Sequence, residues 1–195
     1  MNIMPTSKSV VLEGDALHTV LTFRLERQVY AIHIAPIVQL IEMVAIIPLP
    51  QMHNGIEGII NVRGVMTPVV SLRHYMGLRT QPWTLHTPII LMRLSVGRMI
   101  GLIVDEVLEV IALRDVPAPP STFLPDGLRV SQMVLGVAYQ NGRTILVLDH
   151  EALFTTAQTH ALAEVTEGAD VKGGAVFGSS IESVGVVDVT VEAAA

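Results

Sequence analysis

Cysteine is absent from the chain, which excludes disulfides and thiolate chemistry and makes a cytoplasmic address the expectation. Any long uninterrupted apolar run is missing too, although half the residues are hydrophobic. The best candidate, residues 34–50, is broken by Pro36, Gln39, Glu42, Pro48 and Pro50, whereas a spanning helix needs roughly 20 apolar residues. Direct membrane insertion is therefore not expected, and the apolar excess is assigned to core and interface. The first residues offer Lys8, Glu13 and Asp15 without an apolar stretch, so no secretory signal is read there. Lysine is nearly absent, and the arginines that replace it are scattered. They do not form the basic stripe that nucleic acid requires, so no nucleic-acid partner is expected. Much of the net charge of −6 lies beyond residue 155, where several acidic groups face Lys172 alone, and the body is near neutral.

Chemical motifs are equally sparse. The histidines, His18, His33, His53, His74, His86, His150 and His160, include no HxxxH, HxH or HExxH pair, so no metal site is expected. The trio Asp149, His150 and Glu151 reads as the acidic start of a helix, because adjacent helical residues diverge and do not converge on one metal. Residues 173–180 carry glycines and serines without the Walker lysine or a preceding buried strand, and no G-x-S-x-G elbow is present. Asp105, Glu106 and Glu109 read as a solvated strand edge rather than an acid–base pair. Neither a cofactor nor an enzymatic activity is expected.

What the chain does contain is a series of β-branched hairpins. Residues 55–78, GIEGIINVRGVMTPVVSLRHYMGL, read as strands 56–62 and 65–70 around Arg63-Gly64, followed by a helix that Ser71 starts and Gly77 ends. Both strands are apolar on both faces, so each face must be covered by protein. A second hairpin, 88–94 with 98–104, turns at Ser95-Val96-Gly97, and a strand at 106–113 follows it. A third, 132–139 with 143–148, flanks Asn141-Gly142, which suits a type I′ turn. Residues 17–26 and 29–34 suit two further strands with a turn near Arg27-Gln28. Ile37, Leu40 and Ile41, spaced i, i+3 and i+4, predict a short helix ended by Pro48 and Pro50, in competition with an extended reading of 38–41. Asp149 opens a C-terminal helix. Hairpins at near-regular spacing with little room for long helices predict a mainly β fold built from barrels. Residues 1–15 are expected to form a flexible leader, 16–155 the folded domain, and 156–195 an acidic, disordered tail.

Arg63, Arg98 and Arg143 each adjoin a turn glycine. Arg98 and Arg143 read as solvated turn positions. Arg63 lies between apolar strands, where a charge requires either a carboxylate of its own chain or one brought by a partner.

Residues 58–73, GIINVRGVMTPVVSLR, resemble the G-V-I-N-L-R-G-x-x-x-P-V-V-D-L-R signature of CheW-like domains, the coupling proteins of bacterial chemotaxis. LTFRLERQVYAIHI resembles that family's opening strands, GRMIGLIVDEVLEVI its G-x-x-x-G-L-V-V-D-x-V block, and LGVAYQNGRTILVLDHEALF its closing hairpin and helix. The resemblance implies two interleaved five-stranded, SH3-like barrels sharing a core, and an adaptor without catalysis. Its implied partners are the regulatory domain of a CheA-type histidine kinase and the cytoplasmic tips of chemoreceptors, which would place the protein at membrane receptor arrays. By position, Val38, Arg63, Gly101, Val107 and Val110 would bind receptor and Ile56 and Gly58 the kinase, the valines reading equally as core. Two positions depart from the pattern: Leu40 stands where the family's acid would pair with Arg63, and Ser71 replaces an aspartate. The same fold could serve a twitching, gliding or other chemosensory pathway. A β-barrel binding a small molecule, or a hydrolase, is the alternative from another class.

Overall fold

The computed structural model describes residues 18–48, 55–114, 116 and 133–153. Within these the strands are β1 (His18–Leu25), β2 (Gln28–His33), β3 (Ile37–Glu42), β4 (Ile56–Val62), β5 (Val65–Ser71), β6 (Pro88–Arg93), β7 (Met99–Ile103), β8 (Glu106–Leu113), β9 (Val134–Gln140) and β10 (Arg143–Leu148), with one short helix, α1 (Leu72–Tyr75), after β5. They make two five-stranded sheets, ordered β8-β1-β2-β10-β9 and β3-β6-β7-β5-β4.

The two orders are the same pattern written twice. Strands β1–β5 and β6–β10 are two copies of hairpin, lone strand, hairpin, and each copy lends its last three strands to the other's first hairpin. Thus β3 pairs with β6 and β8 with β1, both antiparallel. The second strand of each copy runs parallel to the fifth of the other, β2 beside β10 and β7 beside β5. The second sheet is closed into a barrel by Ile47, beyond β3, which exchanges backbone hydrogen bonds of 2.8 and 3.0 Å with Ile59 on the far edge strand β4.

This interleaving explains why the strands are apolar on both faces. Side chains alternate across a strand. Along β6, Ile90 and Met92 join a large core fed by both sheets, whereas Ile89 and Leu91 join a smaller core drawn from the second sheet alone. Along β10, Leu146 and Leu148 enter the shared core, and Ile145 and Val147 enter a core private to the first sheet. Every buried strand thus faces apolar protein twice, which a single open sheet with a solvated face would not do.

Of the two readings of 37–41 the extended one holds: the segment is β3, not a helix. A bulge at Val38 inserts an extra residue between Ile37 and Gln39, which lets Ile37 and Leu40, three apart, both reach the shared core. Ile41 then falls on the private core of the second sheet. The related strand β8 repeats the arrangement: its pairing shifts opposite Thr22, and Val107 and Val110 reach the shared core while Ile111 reaches the first sheet's own. Thr22 Oγ1 donates to the Glu109 carbonyl at 2.7 Å and accepts from the Glu109 N–H at 3.1 Å, satisfying the bulged backbone.

The hairpins with turn glycines fall where those residues placed them, whereas the β1–β2 turn comes one residue before the expected Arg27-Gln28, at Glu26-Arg27. Arg63-Gly64 and Asn141-Gly142 both have positive φ at each position (51° and 89°, 52° and 74°), the type I′ requirement. The β1–β2 turn, which has no glycine, uses Glu26 at φ 54°. Ser71 caps α1, its Oγ accepting from the His74 N–H at 3.3 Å. Of the expected C-terminal helix the described part is one turn, closed by the Leu153 N–H on the Asp149 carbonyl at 3.1 Å. The leader and tail lie outside the described residues. Among the described residues no helix is long and apolar enough to cross a membrane.

Candidate docking site

The lone strands β3 and β8 each form one edge of a sheet and rim the shared core from opposite sheets. Val107 and Val110 are half-buried there, alongside Ile37 and Leu40 of β3. Val38, at the bulge, is 50% exposed. Strand β3 thus presents an apolar side chain to solvent, and β8 lines its half of the rim with valines.

Arg63 occupies the exposed tip of the β4–β5 hairpin. The Asn61 side chain holds this turn by accepting from the Gly64 N–H at 2.7 Å. Neither candidate position brings an acid to the arginine: Leu40, standing where the resemblance would place an acid, packs on the shared core, and Glu42, the nearest carboxylate in sequence on β3, bonds His86 at 3.0 Å. Among the described residues nothing pairs with Arg63. A non-glycine residue in the left-handed region carries strain on the order of 1 kcal/mol, and among the described residues no bond to the arginine's side chain offsets it.

The remaining predicted positions are interior. Gly101 is buried between β6 and β5, and a Cβ on it would lie 2.8 Å from Val69 Cγ1 and 2.9 Å from Ile89 Cγ2. Ile56 belongs to the shared core. Gly58 sits under the strap that closes the second barrel, where a Cβ would approach the Ile47 carbonyl oxygen to 2.3 Å. These three residues shape the surface from beneath.

A polar cluster that sequence reasoning missed joins the two sheets. Arg73, in α1, is almost fully buried, with 8% of its side chain exposed. Its Nε and Nη2 donate to Asp105 Oδ1 and Oδ2 at 2.5 and 2.7 Å, and Nη1 donates to the Arg79 carbonyl at 2.7 Å. Asp105 Oδ2 also accepts from the Glu26 N–H, at 2.6 Å. The carboxylate read as a solvated strand edge is therefore the link by which α1 in the second barrel holds the β1–β2 turn of the first. Burial pushes the Asp105 carboxyl up, but the Arg73 and Glu26 N–H donors outweigh it and the net shift is downward. Both residues lie inside motif blocks, Arg73 ending one and Asp105 within another, and that placement was the available signal. Glu106 does face solvent, pairing with Arg24 across β1 and β8.

A second clasp occupies the related corner. Glu151, in the turn after β10, accepts from the Ser95 N–H at 2.7 Å and from Ser95 Oγ at 3.1 Å, gripping the β6–β7 turn of the other barrel. Two open clefts, near Gln140 and near Trp83, have volumes of about 200 and 220 Å³, below the roughly 300–1,000 Å³ of ligand pockets. Among the described residues no three metal-ligating side chains come together.

A model of the CheW-like domain matches residues 19–158. The chemotaxis protein CheW of Treponema pallidum is 26% identical over 160 residues, covering 78% of this chain and 91% of the relative. That of Thermotoga maritima is 30% identical over 138 residues, covering 70% and 88%. Among solved structures, the scaffolding protein TtCheW from Thermoanaerobacter tengcongensis is similar with a TM-score of 0.63 at 28% identity, over 73% of this chain and 96% of that one.

Proposed function

The chain belongs to the CheW-like domain family, and on that premise we propose how it works: as an adaptor that joins the regulatory domain of a CheA-type histidine kinase to the cytoplasmic tips of chemoreceptors. It is a chemotaxis adaptor of a non-catalytic scaffold family. Its place of action in this reading is the cytoplasm, at receptor arrays, with residues 16–155 as the working domain.

The observation that carries the reading is Arg63, strained at a hairpin tip, exposed, and without an acid paired to it among the described residues. A guanidinium so presented suits a carboxylate on a partner. Val38, Val107 and Val110 supply the apolar part of the receptor face, and Gly101 permits the close packing of β5, β6 and β7 behind it. Gly58, which lets the 46–47 strap lie against β4, and Ile56, which anchors β4 in the shared core, mark the kinase side in this reading. Leu40, apolar where the family's acid would stand, favours a receptor whose charges differ from the usual pattern, so a sister chemosensory pathway is the second reading.

Titrating the protein with the regulatory domain of its cognate kinase in a calorimeter tests the proposal. Saturable heat is the expected result, and its absence would sink the kinase half of the reading.

A further inference from the structure

One corner of the first barrel gathers histidines that the docking reading does not use. His18 opens β1 and His33 ends β2, and their rings meet edge to face with centroids 5.4 Å apart. His150 follows β10, its charge acting on His33 together with that of Asp149. His150 Nε2 lies 3.4 Å from Glu151 Oε1, and the same oxygen accepts from the Ser95 N–H at 2.7 Å. The corner is thus continuous with the clasp that holds the other barrel's β6–β7 turn. At the tip of that turn Val96 is 60% exposed, flanked in sequence by Arg93 and Arg98.

We propose that this corner is a proton-sensitive device: a proton taken up at His150 acts through Glu151 Oε1, the oxygen that also holds the Ser95 N–H, on the β6–β7 turn and changes how Val96 is presented. The mechanism follows from the shared oxygen. A neutral His150 competes weakly for Glu151 Oε1, and the carboxylate serves Ser95. An imidazolium is a charge-assisted donor for the same oxygen. It draws the carboxylate toward His150 and lengthens the bond to Ser95. Burial first, then the charges of His18 and His150, hold the His33 pKa below the ordinary histidine value, with Asp149 opposing. Histidine is the side chain whose ordinary titration falls between about pH 5 and 8. The inference rests on these contacts and holds whichever partner the adaptor serves.

The test is an amide chemical-shift titration of the full chain from about pH 7.5 to 5.5, the range in which histidines change charge. The Ser95 amide is expected to move upfield with a histidine-like midpoint, and its protection relative to the intrinsic exchange rate at each pH is expected to fall at the acid end. In His150→Gln, that phase disappears while the rest of the spectrum stays folded. A Ser95 amide flat over this range in the native chain would overturn the proposal. So would an unchanged titration in a folded His150→Gln variant.

Discussion

Arg73 and Asp105 meet through two parallel hydrogen bonds, 2.5 and 2.7 Å long, across 32 residues of sequence. Asp105 leads from β7, in the second sheet, into β8, in the first, so the fork is anchored where the chain changes barrels. Breaking a buried pair from one side strands a charge, which costs about 3–5 kcal/mol. Asp105 is 25% exposed, which places Asp105→Ala lower, at about 2–4 kcal/mol by the same principle. Urea denaturation followed by circular dichroism measures it, and a loss under about 0.5 kcal/mol, the scale of an ordinary surface change, would show that water replaces the carboxylate.

Acid should remove stability in two stages, because among the described residues His33 and Asp105 have folded-state pKa values below their unfolded ones. Lowered values mean that the unfolded chain binds more protons as pH falls, so stability is present above the unfolded pKa and lost as pH falls through the folded one. For His33, starting from 6.5, the loss begins below about pH 6.5. For Asp105, starting from 3.8, it begins below about pH 4. Denaturation midpoints measured from pH 7.5 to 3 should show both stages, with His33→Gln lacking the first and Asp105→Asn the second.

Two glycines should resist alanine for reasons of space. Gly101→Ala drives a methyl into Val69 and Ile89 and should cost about 1–3 kcal/mol, as overpacking does. Gly58→Ala meets a backbone carbonyl, which does not swing aside, and should also increase hydrogen exchange at the Ile47 and Ile59 amides that close the barrel. Val38→Asp, at an exposed position, should leave the midpoint nearly unchanged and weaken receptor binding.

The hairpins were legible because their turns are local: Arg63-Gly64 and Asn141-Gly142 announce positive φ in two residues. The family blocks were legible for a similar reason. What escaped was whatever depends on the exchange between copies. The bulge at Val38 gives Ile37, Leu40 and Ile41 a helical spacing within a strand, and only the pairing of β3 with β6 reveals it. Val107, Val110 and Ile111 carry the same spacing on β8, and comparing the two stretches would have exposed the duplication. The Arg73–Asp105 fork escaped because neither residue has a periodic signature; distant blocks meet only after the strands interleave.

Arg63 should trade stability for docking. The related hairpin of the first barrel has Asn141 at the equivalent turn position, and asparagine tolerates the left-handed conformation better than arginine. Arg63→Asn should therefore raise stability by up to about 1 kcal/mol, part of the strain of a non-glycine residue in the left-handed region. It should weaken binding to a receptor-tip peptide by about tenfold or more, the scale of a lost charged hydrogen bond. Thermal melts and a fluorescence titration read the two effects separately.

The adaptor claim itself is tested most directly by recruitment. Receptor-bearing membranes, the cognate kinase and this protein are mixed and sedimented, and kinase in the pellet is quantified with and without the protein. The account predicts that the kinase pellets only when the protein is present. Kinase that stays in the supernatant with the protein added, or pellets equally without it, would contradict the account.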